Sequence, residues 1–376
     1  MQGAARSGEM IIFKRNYKRV FLKAAFFHNG QNKEKKEISR NINRIIKKKE
    51  GIVLRRYNYC KIFVLVLALG LALLTGCSDQ EKEQSAPVKF GVLPIVDNLP
   101  FWVAEEKGYF ADEGVKVELV PFDSAMERDS AISAKQVDGA LGDILALAAM
   151  NGGGVPAKAV ALGQGVTPVE GRFALLSAPG SGITKPEQLK GVEIAVSLNS
   201  IIEYVTDKLL LDQGFSQDEI KKTAIPKIPA RVEALLSGQV QAAVLPDPPA
   251  AIAELKGANL VLDDTSRNIS QTIIYFREDT LENKMEEVKG LMRAYTRAVE
   301  DIQAQPGAFD DILTEKARVP QEVLDQPDKT GMQVVFSLPE LPAKEDIAEV
   351  VDWMLEHELL DKELTYTDLV NEEVLQ

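Results

Sequence analysis

Short apolar segments alternate with stretches of helical spacing along the chain from residue 88 onward. An apolar run over 88–94 and alternating apolar and polar positions over 115–121 predict strands, and an apolar stripe over 99–107 predicts the helix between them. Beyond residue 277 the pattern becomes mainly helical. Strands that alternate with helices predict parallel sheets covered on both faces, in which ligands bind beyond the carboxyl ends of the strands.

The predicted strands lie at 88–94, 115–121, 137–142, 155–162, 173–177, 193–196, 222–225, 242–245, 259–262 and 272–277. The predicted helices lie at 99–107, from Ser124 onward, and at 143–150, 201–213, 230–237, 248–255, 281–305, 308–317 and 344–358.

An uncharged, mostly apolar run occupies 62–76 and follows Arg55, Arg56 and Lys61. It is short for a membrane span, which needs about 20 apolar residues, and its order of positive, apolar and small residues is typical of a secretory signal peptide. The segment Leu-Leu-Thr-Gly-Cys ending at Cys77 resembles a bacterial lipobox. We therefore expect a lipoprotein signal peptide at 52–76, a diacylglycerol or palmitate-type lipid on Cys77 and a polar tether at 77–87; a core helix that happens to contain a cysteine is the alternative.

Charge divides the 376 residues into two unlike parts, although the net charge is -12. Residues 1–61 contain 17 Lys and Arg against four Asp and Glu, whereas residues 77–376 contain 27 against 52. An acidic body argues against nucleic-acid binding. The basic leader at 1–51 is foreign to that body, and we hypothesise that the true start lies near Val53 or Leu54; a real cytoplasmic extension is the alternative.

Cysteine and histidine are scarce, which restricts the chemistry of the body. Past Cys77 the chain has no thiol, so disulfides and cysteine nucleophiles are excluded there. His28 lies in the leader, and His357 is the one histidine of the body. No metal site, cofactor or catalytic group is predicted.

Three stretches resemble a known family. They are Phe90-Gly91-Val92 followed by FWVAEEKGYF at 101–110, VDGALGD at 137–143, and SGITKPEQLKG at 181–191. Their order behind a lipobox resembles substrate-binding lipoproteins of ABC importers, in the branch that contains thiamine-pyrimidine, alkanesulfonate, taurine and nitrate binders. The resemblance covers roughly residues 88–360.

The resemblance implies a type II periplasmic-binding-protein-like α/β fold, with two doubly wound lobes joined by hinge strands. Lobe one would be 88–177 plus 273–376, lobe two 178–272, and the hinge would lie at 177–179 and 271–272. A small-molecule ligand would be clamped between the lobes, and the partner would be an ABC permease in the membrane. We expect a monomer on the extracytoplasmic face of the cell membrane, held by its lipid anchor.

Candidate ligand-binding residues in lobe one follow three strand ends. Phe101 could stack on a flat ligand, with a core role as the alternative. Ser124, Glu127 and Arg128 begin a helix, where Ser124 is also a sufficient N-cap and Arg128 could hold a carboxylate or sulfonate. Asp143 could accept hydrogen bonds from an amino group or simply cap the following helix.

Candidates in lobe two surround the start of the helix at 201–213 and the end of the strand at 242–245. Ser197, Asn199 and Ser200 could bind an acidic group together with backbone amides, or could be plain caps. We expect further contacts from three side chains: Glu203, Tyr204 and Asp247.

The acids among these candidates outnumber Arg128, which favours an amino-bearing heterocycle such as a thiamine-type pyrimidine. An alkanesulfonate, taurine or nitrate-type anion held by backbone amides is the alternative. A pyrimidine synthase that uses histidine and iron shares the fold, but the single body histidine argues against that enzyme. A glycosidase would need two positioned carboxylates, and the spacing of the acids supports no such pair. A structural lipoprotein is disfavoured by the two-lobed pattern.

Overall fold

The computed structural model describes residues 86–376 apart from Asn268, together with Glu37, Arg40 and Arg44, which are helical and exposed. The expected signal peptide, the lipidated Cys77, the alternative start near Val53 and most of the tether lie outside the described residues. Within the described part of the chain, no helix is long and apolar enough to cross a membrane.

Ten strands and fourteen α-helices, with three short 3-10 helices, make up residues 86–376 as described. The strands are β1 (Val88–Val92), β2 (Val117–Pro121), β3 (Gly139–Asp143), β4 (Ala157–Gln164), β5 (Phe173–Ser177), β6 (Glu193–Val196), β7 (Lys221–Ala224), β8 (Ala242–Pro246), β9 (Asn259–Asp263) and β10 (Thr272–Arg277). The helices are α1 (Leu99–Glu106), α2 (Tyr109–Asp112), α3 (Ala125–Ser133), α4 (Ile144–Gly152), α5 (Ile201–Asp212), α6 (Ile228–Leu236), α7 (Pro249–Leu255), α8 (Glu278–Asn283), α9 (Met285–Ala304), α10 (Asp310–Lys316), α11 (Gln321–Leu324), α12 (Pro327–Thr330), α13 (Lys344–Glu356) and α14 (Tyr366–Leu369).

The strands form two five-stranded sheets with equivalent strand orders, β2-β1-β3-β10-β4 and β7-β6-β8-β5-β9. In each sheet four strands run in one direction, and the fourth in the order, β10 or β5, is antiparallel to both of its neighbours. The expectation of purely parallel sheets was therefore wrong at these two strands. Each enters its sheet from the opposite lobe, so the chain runs through it in the reverse direction.

The chain passes between the two sheets at 165–172, from β4 to β5, and again at 264–271, from β9 to β10. Strand β5, which the sequence assigned to lobe one, pairs with β8 and β9 and lies in the second sheet. The first crossing therefore precedes β5 instead of following it. We call the first sheet with its helices the first lobe and the second sheet with its helices the second lobe.

The C-terminal third of the chain is also shared between the lobes. Helix α9 packs on α1 of the first lobe, whereas α12 packs on α7 of the second lobe. An extended segment over 331–343 then leads to α13, which packs on α4 of the first lobe. The expectation that 273–376 belongs wholly to the first lobe does not hold for α12, because it packs on α7.

Apolar side chains join the facing surfaces of the lobes. One buried cluster combines Leu147 of the first lobe with Ile202 and Leu210 of the second. Another extends from Phe90 to Ile228. Because burial of apolar surface stabilises by about 25 cal/mol per Å², contact between the lobes is favourable in this arrangement.

Candidate ligand-binding cleft

Three helices begin where the two sheets face each other, and each starts with a polar cap that satisfies a free backbone amide. Ser124 Oγ accepts from the Glu127 amide at 3.2 Å, Asp143 Oδ1 from the Ala146 amide at 2.8 Å, and Ser200 Oγ from the Ile202 amide at 3.3 Å. A cavity of about 50 Å³ lies between these helix starts and α6. Most of its wall is apolar, formed by Leu93, Ile95, Leu141, Phe173, Ile202 and Ile228.

Arg128 is the cationic group that the first lobe contributes to this cavity. Its side chain is 2% exposed; Nε donates to Asp129 Oδ1 at 2.8 Å and Nη1 to the Leu141 carbonyl at 2.9 Å. Nη2 has no hydrogen-bond partner among the described residues and lies 4.0 Å from Asp143 Oδ2. A side chain at Gly142 would bring a Cβ to 3.0 Å from this guanidinium, so glycine is what lets it lie there.

Arg231 is the corresponding group of the second lobe and is fully buried. Its Nε donates to the Val244 carbonyl at 3.0 Å and its Nη1 to the Ile225 carbonyl at 2.7 Å, while Nη2 has no partner in the described residues. No carboxylate of the described chain forms an ion pair with it. Burial lowers the pKa of Arg231 to about 10, which leaves it protonated at neutral pH.

The two arginines occupy equivalent positions in the two lobes. Each lies seven residues beyond the end of the second parallel strand, from 121 to 128 and from 224 to 231. Each also donates to the carbonyl of the third residue in the next strand, Leu141 or Val244. The equivalent topology thus directs one guanidinium from each lobe toward the same cavity.

Three polar side chains complete the wall near these arginines. Asp143 is 4% exposed, and burial raises its pKa to about 6 although Arg128 acts in the opposite direction. Ser197 and Ser200 line the second lobe's side of the cavity, and the Ser200 hydroxyl donates to the Ser197 carbonyl at 2.6 Å. Of the candidate residues named from the sequence, Arg128, Asp143, Ser197 and Ser200 line the cavity.

The other candidates of the first lobe lie elsewhere. Phe101 is fully buried between Phe90 and Tyr295, with ring centroids 4.4 and 4.7 Å away, so it is a core residue of this structure. Ser124 serves as the cap of α3 and does not line the cavity. Glu127 extends to the rim, where its carboxylate pairs with Lys227 of the second lobe at 2.8 Å.

The remaining candidates of the second lobe make structural contacts. Glu203 accepts from the Asn199 amide at 2.6 Å and pairs with Lys222 at 2.6 Å. Asn199 itself is exposed and has a positive φ of 57°. Tyr204 is buried edge-on against Trp353, at 5.4 Å between centroids. None of these three side chains lines the cavity between the arginines.

Asp247 follows β8, as expected, but both of its carboxylate oxygens bind Arg172. The Nε–Oδ2 and Nη2–Oδ1 distances are 2.9 and 3.1 Å, and the Asp247 side chain is 6% exposed. Glu254 is a second partner of Arg172, at 2.6 Å. This bidentate geometry uses the carboxylate for an internal ion pair.

Sequence reasoning missed Arg231, Phe173 and Thr272 as residues of the cavity. The signal for Arg231 was its equivalence to Arg128, which becomes visible once the second and third parallel strands of both lobes are aligned. Phe173 was assigned to the wrong lobe, and Thr272 was treated only as part of the hinge. No group of His, Cys, Asp and Glu side chains within the described residues could hold a metal ion.

Two mixed sheets in equivalent order, linked by two crossings and enclosing a cavity at their facing strand ends, define the periplasmic binding protein fold. The sequence agrees, since residues 96–308, more than half of the chain, match the family model described as NMT1/THI5 like. The chain belongs to the NMT1/THI5-like family.

Solved structures support the fold at low sequence identity. The alkanesulfonate-binding protein of Xanthomonas axonopodis pv. citri bound to MOPS is similar at 17% identity and a TM-score of 0.67, covering 77% of this chain and 99% of that one. The aliphatic sulphonate binding protein of Escherichia coli is similar at 17% identity and a TM-score of 0.63, covering 76% of this chain and 98% of that one. The nitrate-binding protein of Synechocystis PCC 6803 is similar at 15% identity and a TM-score of 0.62, covering 77% of this chain and 87% of that one.

A desulfurization enzyme is also similar in fold, at 15% identity and a TM-score of 0.58, with 77% of this chain and 97% of that chain covered. No curated protein sequence matches the chain. The fold therefore occurs in binding proteins and in at least one enzyme, and the contents of the cleft must decide between these roles.

Proposed function

We propose that the protein is the solute-binding component of an ABC importer and that its ligand is a small anion. The observation that carries this proposal is the pair Arg128 and Arg231, which come from opposite lobes and line one cavity. Each retains an Nη2 group without a hydrogen-bond partner among the described residues. A buried cation without a counter-charge is costly, and Arg231 has none among the described residues. Arg128 pairs with Asp129, but its Nη2 group still has no hydrogen-bond acceptor in that part of the chain. An anion placed between the guanidiniums would offset that cost and would bind both lobes at once.

The balance of charge around the cavity favours an anion over an amino-bearing heterocycle. Three of the four acids that were expected to recognise an amine are engaged elsewhere: Glu127 by Lys227, Glu203 by Lys222, and Asp247 by Arg172. The preference for a pyrimidine counted Arg128 as the one base of the site. Two arginines and one acid, Asp143, line the cavity. Asp129 already pairs with Arg128, so the charge of Arg231 is the one left without a counter-charge among the described residues, and it reverses that preference.

The size of the cavity points in the same direction. A cavity of about 150 Å³ is what holds a benzene ring in a protein core, and the cavity here is about 50 Å³. It suits a nitrate-sized group, or a sulfonate or carboxylate with a short tail. The apolar wall around Ile95 and Ile202 would contact that tail.

Export and anchoring complete the proposed role. Similarity of fold to sulfonate- and nitrate-binding proteins supports delivery of the ligand to a membrane permease. The lipobox-like sequence supports a lipid on Cys77 and an extracytoplasmic location at the membrane. If so, Cys77→Ser would move the protein from the membrane fraction to the soluble fraction, whereas Cys60→Ser would not.

Binding without catalysis fits the position of the body's histidine. His357 stacks on Trp353 at 4.1 Å and lies 3.4 Å from Asp207, and it does not line the cavity. The polar groups that do line the cavity suit recognition of an anion, and no neighbouring pair of them forms a nucleophile with a base.

Isothermal titration of the purified chain tests the proposal. The probes are nitrate, sulfate, methanesulfonate, taurine and a 4-aminopyrimidine. We expect at least one of the anions to bind, and at 100 times its Kd to stabilise the folded state by about 2.7 kcal/mol. Binding of the aminopyrimidine without binding of any anion would overturn the assignment of the ligand class.

A further inference from the structure

An ion pair crosses the mouth of the cleft next to both arginines. Glu127 Oε1 of the first lobe lies 2.8 Å from Lys227 Nζ of the second lobe. The hydrogen bond from Lys227 lowers the pKa of Glu127 and raises that of Lys227. The side chains are 42% and 55% exposed, so this pair lies at the rim and not within the cavity.

The two residues of the pair lie close to the two arginines along the chain. Glu127 is next to Arg128 in the first turn of α3, and Lys227 precedes α6 by one residue, a single turn before Arg231. The pair therefore joins the two helix starts that carry the guanidiniums. Separation of the lobes would break it, because its members belong to different lobes.

We propose that Glu127 and Lys227 are positioning residues that form a clasp, holding the lobes closed so that Arg128 and Arg231 bind one anion together. The proposal rests on the proposed function. Ligand contact by Glu127, the sequence-based expectation, is replaced here by contact with the opposite lobe. An exposed ion pair contributes little free energy. A weak contact suits a clasp that must also open to release the ligand.

Charge reversal separates a clasp from simple attraction of the anion. Glu127→Lys adds positive charge near the site, so long-range attraction alone would tighten binding of methanesulfonate, whereas loss of a clasp would weaken it. Lys227→Glu should weaken binding by either route. The clasp predicts a Kd higher by roughly 1.5- to 5-fold for each single reversal, and recovery of the wild-type Kd in the double variant Glu127→Lys/Lys227→Glu.

The matched control is the pair Lys190 and Glu219, which are 2.7 Å apart with side chains 51% and 37% exposed. Both residues lie in the second lobe. Reversal of either one should leave the Kd for methanesulfonate unchanged. A similar loss of affinity in this control would show that the Glu127 and Lys227 variants act through general destabilisation, and would overturn the clasp.

A measurement without ligand tests the clasp independently of the ligand class. Spin labels at Glu105→Cys and Glu187→Cys, in the full chain with Cys60 and Cys77 replaced by serine, report the distance between the lobes by electron–electron resonance. Single reversals should shift the population toward longer distances, and the double reversal should restore it. If no probe binds to the wild type, the anion assignment fails, but the measured distances still test the clasp. An unchanged distance distribution in both single variants would overturn the clasp.

Discussion

Substitution of Arg231 by glutamine is the most direct perturbation of the site. Glutamine removes the charge but keeps a side chain that can donate to one of the two carbonyls, of Val244 or Ile225, that Arg231 binds. Arg231 is fully buried, and its Nη2 has no hydrogen-bond partner in the part of the chain that the structure describes. The change should therefore affect an incoming anion more than the protein interior.

The expected loss of affinity follows from the type of bond. A hydrogen bond to a charged group contributes about 1.5–3 kcal/mol, which corresponds to a Kd higher by roughly 10- to 150-fold. Removal of a buried, uncompensated charge stabilises the folded state, whereas a carbonyl left unpaired costs about 1–3 kcal/mol. These two effects oppose each other, so we expect a small change in the free energy of unfolding.

Isothermal titration with methanesulfonate measures the affinity, and thermal unfolding measures the stability of the same samples. Arg231→Lys retains the charge and should lose less affinity than Arg231→Gln. Lys190→Gln, an exposed change within the second lobe, should leave the Kd unaltered. Wild-type affinity in Arg231→Gln would refute the reasoning, because the anion would then not depend on this guanidinium.

Three further outcomes are expected. Burial raises the pKa of Asp143 to about 6, so its protonation between pH 7 and pH 5 removes negative charge beside Arg128; methanesulfonate should bind more tightly over that window, and Asp143→Asn should abolish the pH dependence measured by titration. Phe101→Ala should lower the free energy of unfolding by about 3–5 kcal/mol in denaturant melts, with no change in Kd for the folded protein. Asp247→Ala should destabilise by about 3–5 kcal/mol, because Arg172 loses a buried partner, and a large loss of affinity with unchanged stability would return Asp247 to the binding site.

The sequence by itself determined the α/β class through its local pattern, and the two-lobed arrangement through its resemblance to a known family. Apolar runs, helical stripes and polar caps such as Ser124, Asp143 and Ser200 depend on neighbours only a few residues away, and the structure has helices starting at all three. The alternation of strands and helices also predicted that the site would lie at the carboxyl ends of strands. Four candidates of that kind, Arg128, Asp143, Ser197 and Ser200, do meet at one cavity.

Tertiary structure alone decided what each side chain contacts. The sequence shows Glu127, Glu203 and Asp247 as acids. Their cationic partners are Lys227, Lys222 and Arg172, which lie 19 to 100 positions away in the chain. Strand β5 is apolar on both faces and fits either sheet, so only its pairing with β8 and β9 assigns it. In the sequence Arg231 is one charge on an amphipathic helix. We propose it as a binding residue because the fold places it on the same cavity as Arg128, where burial without a counter-charge favours an anion.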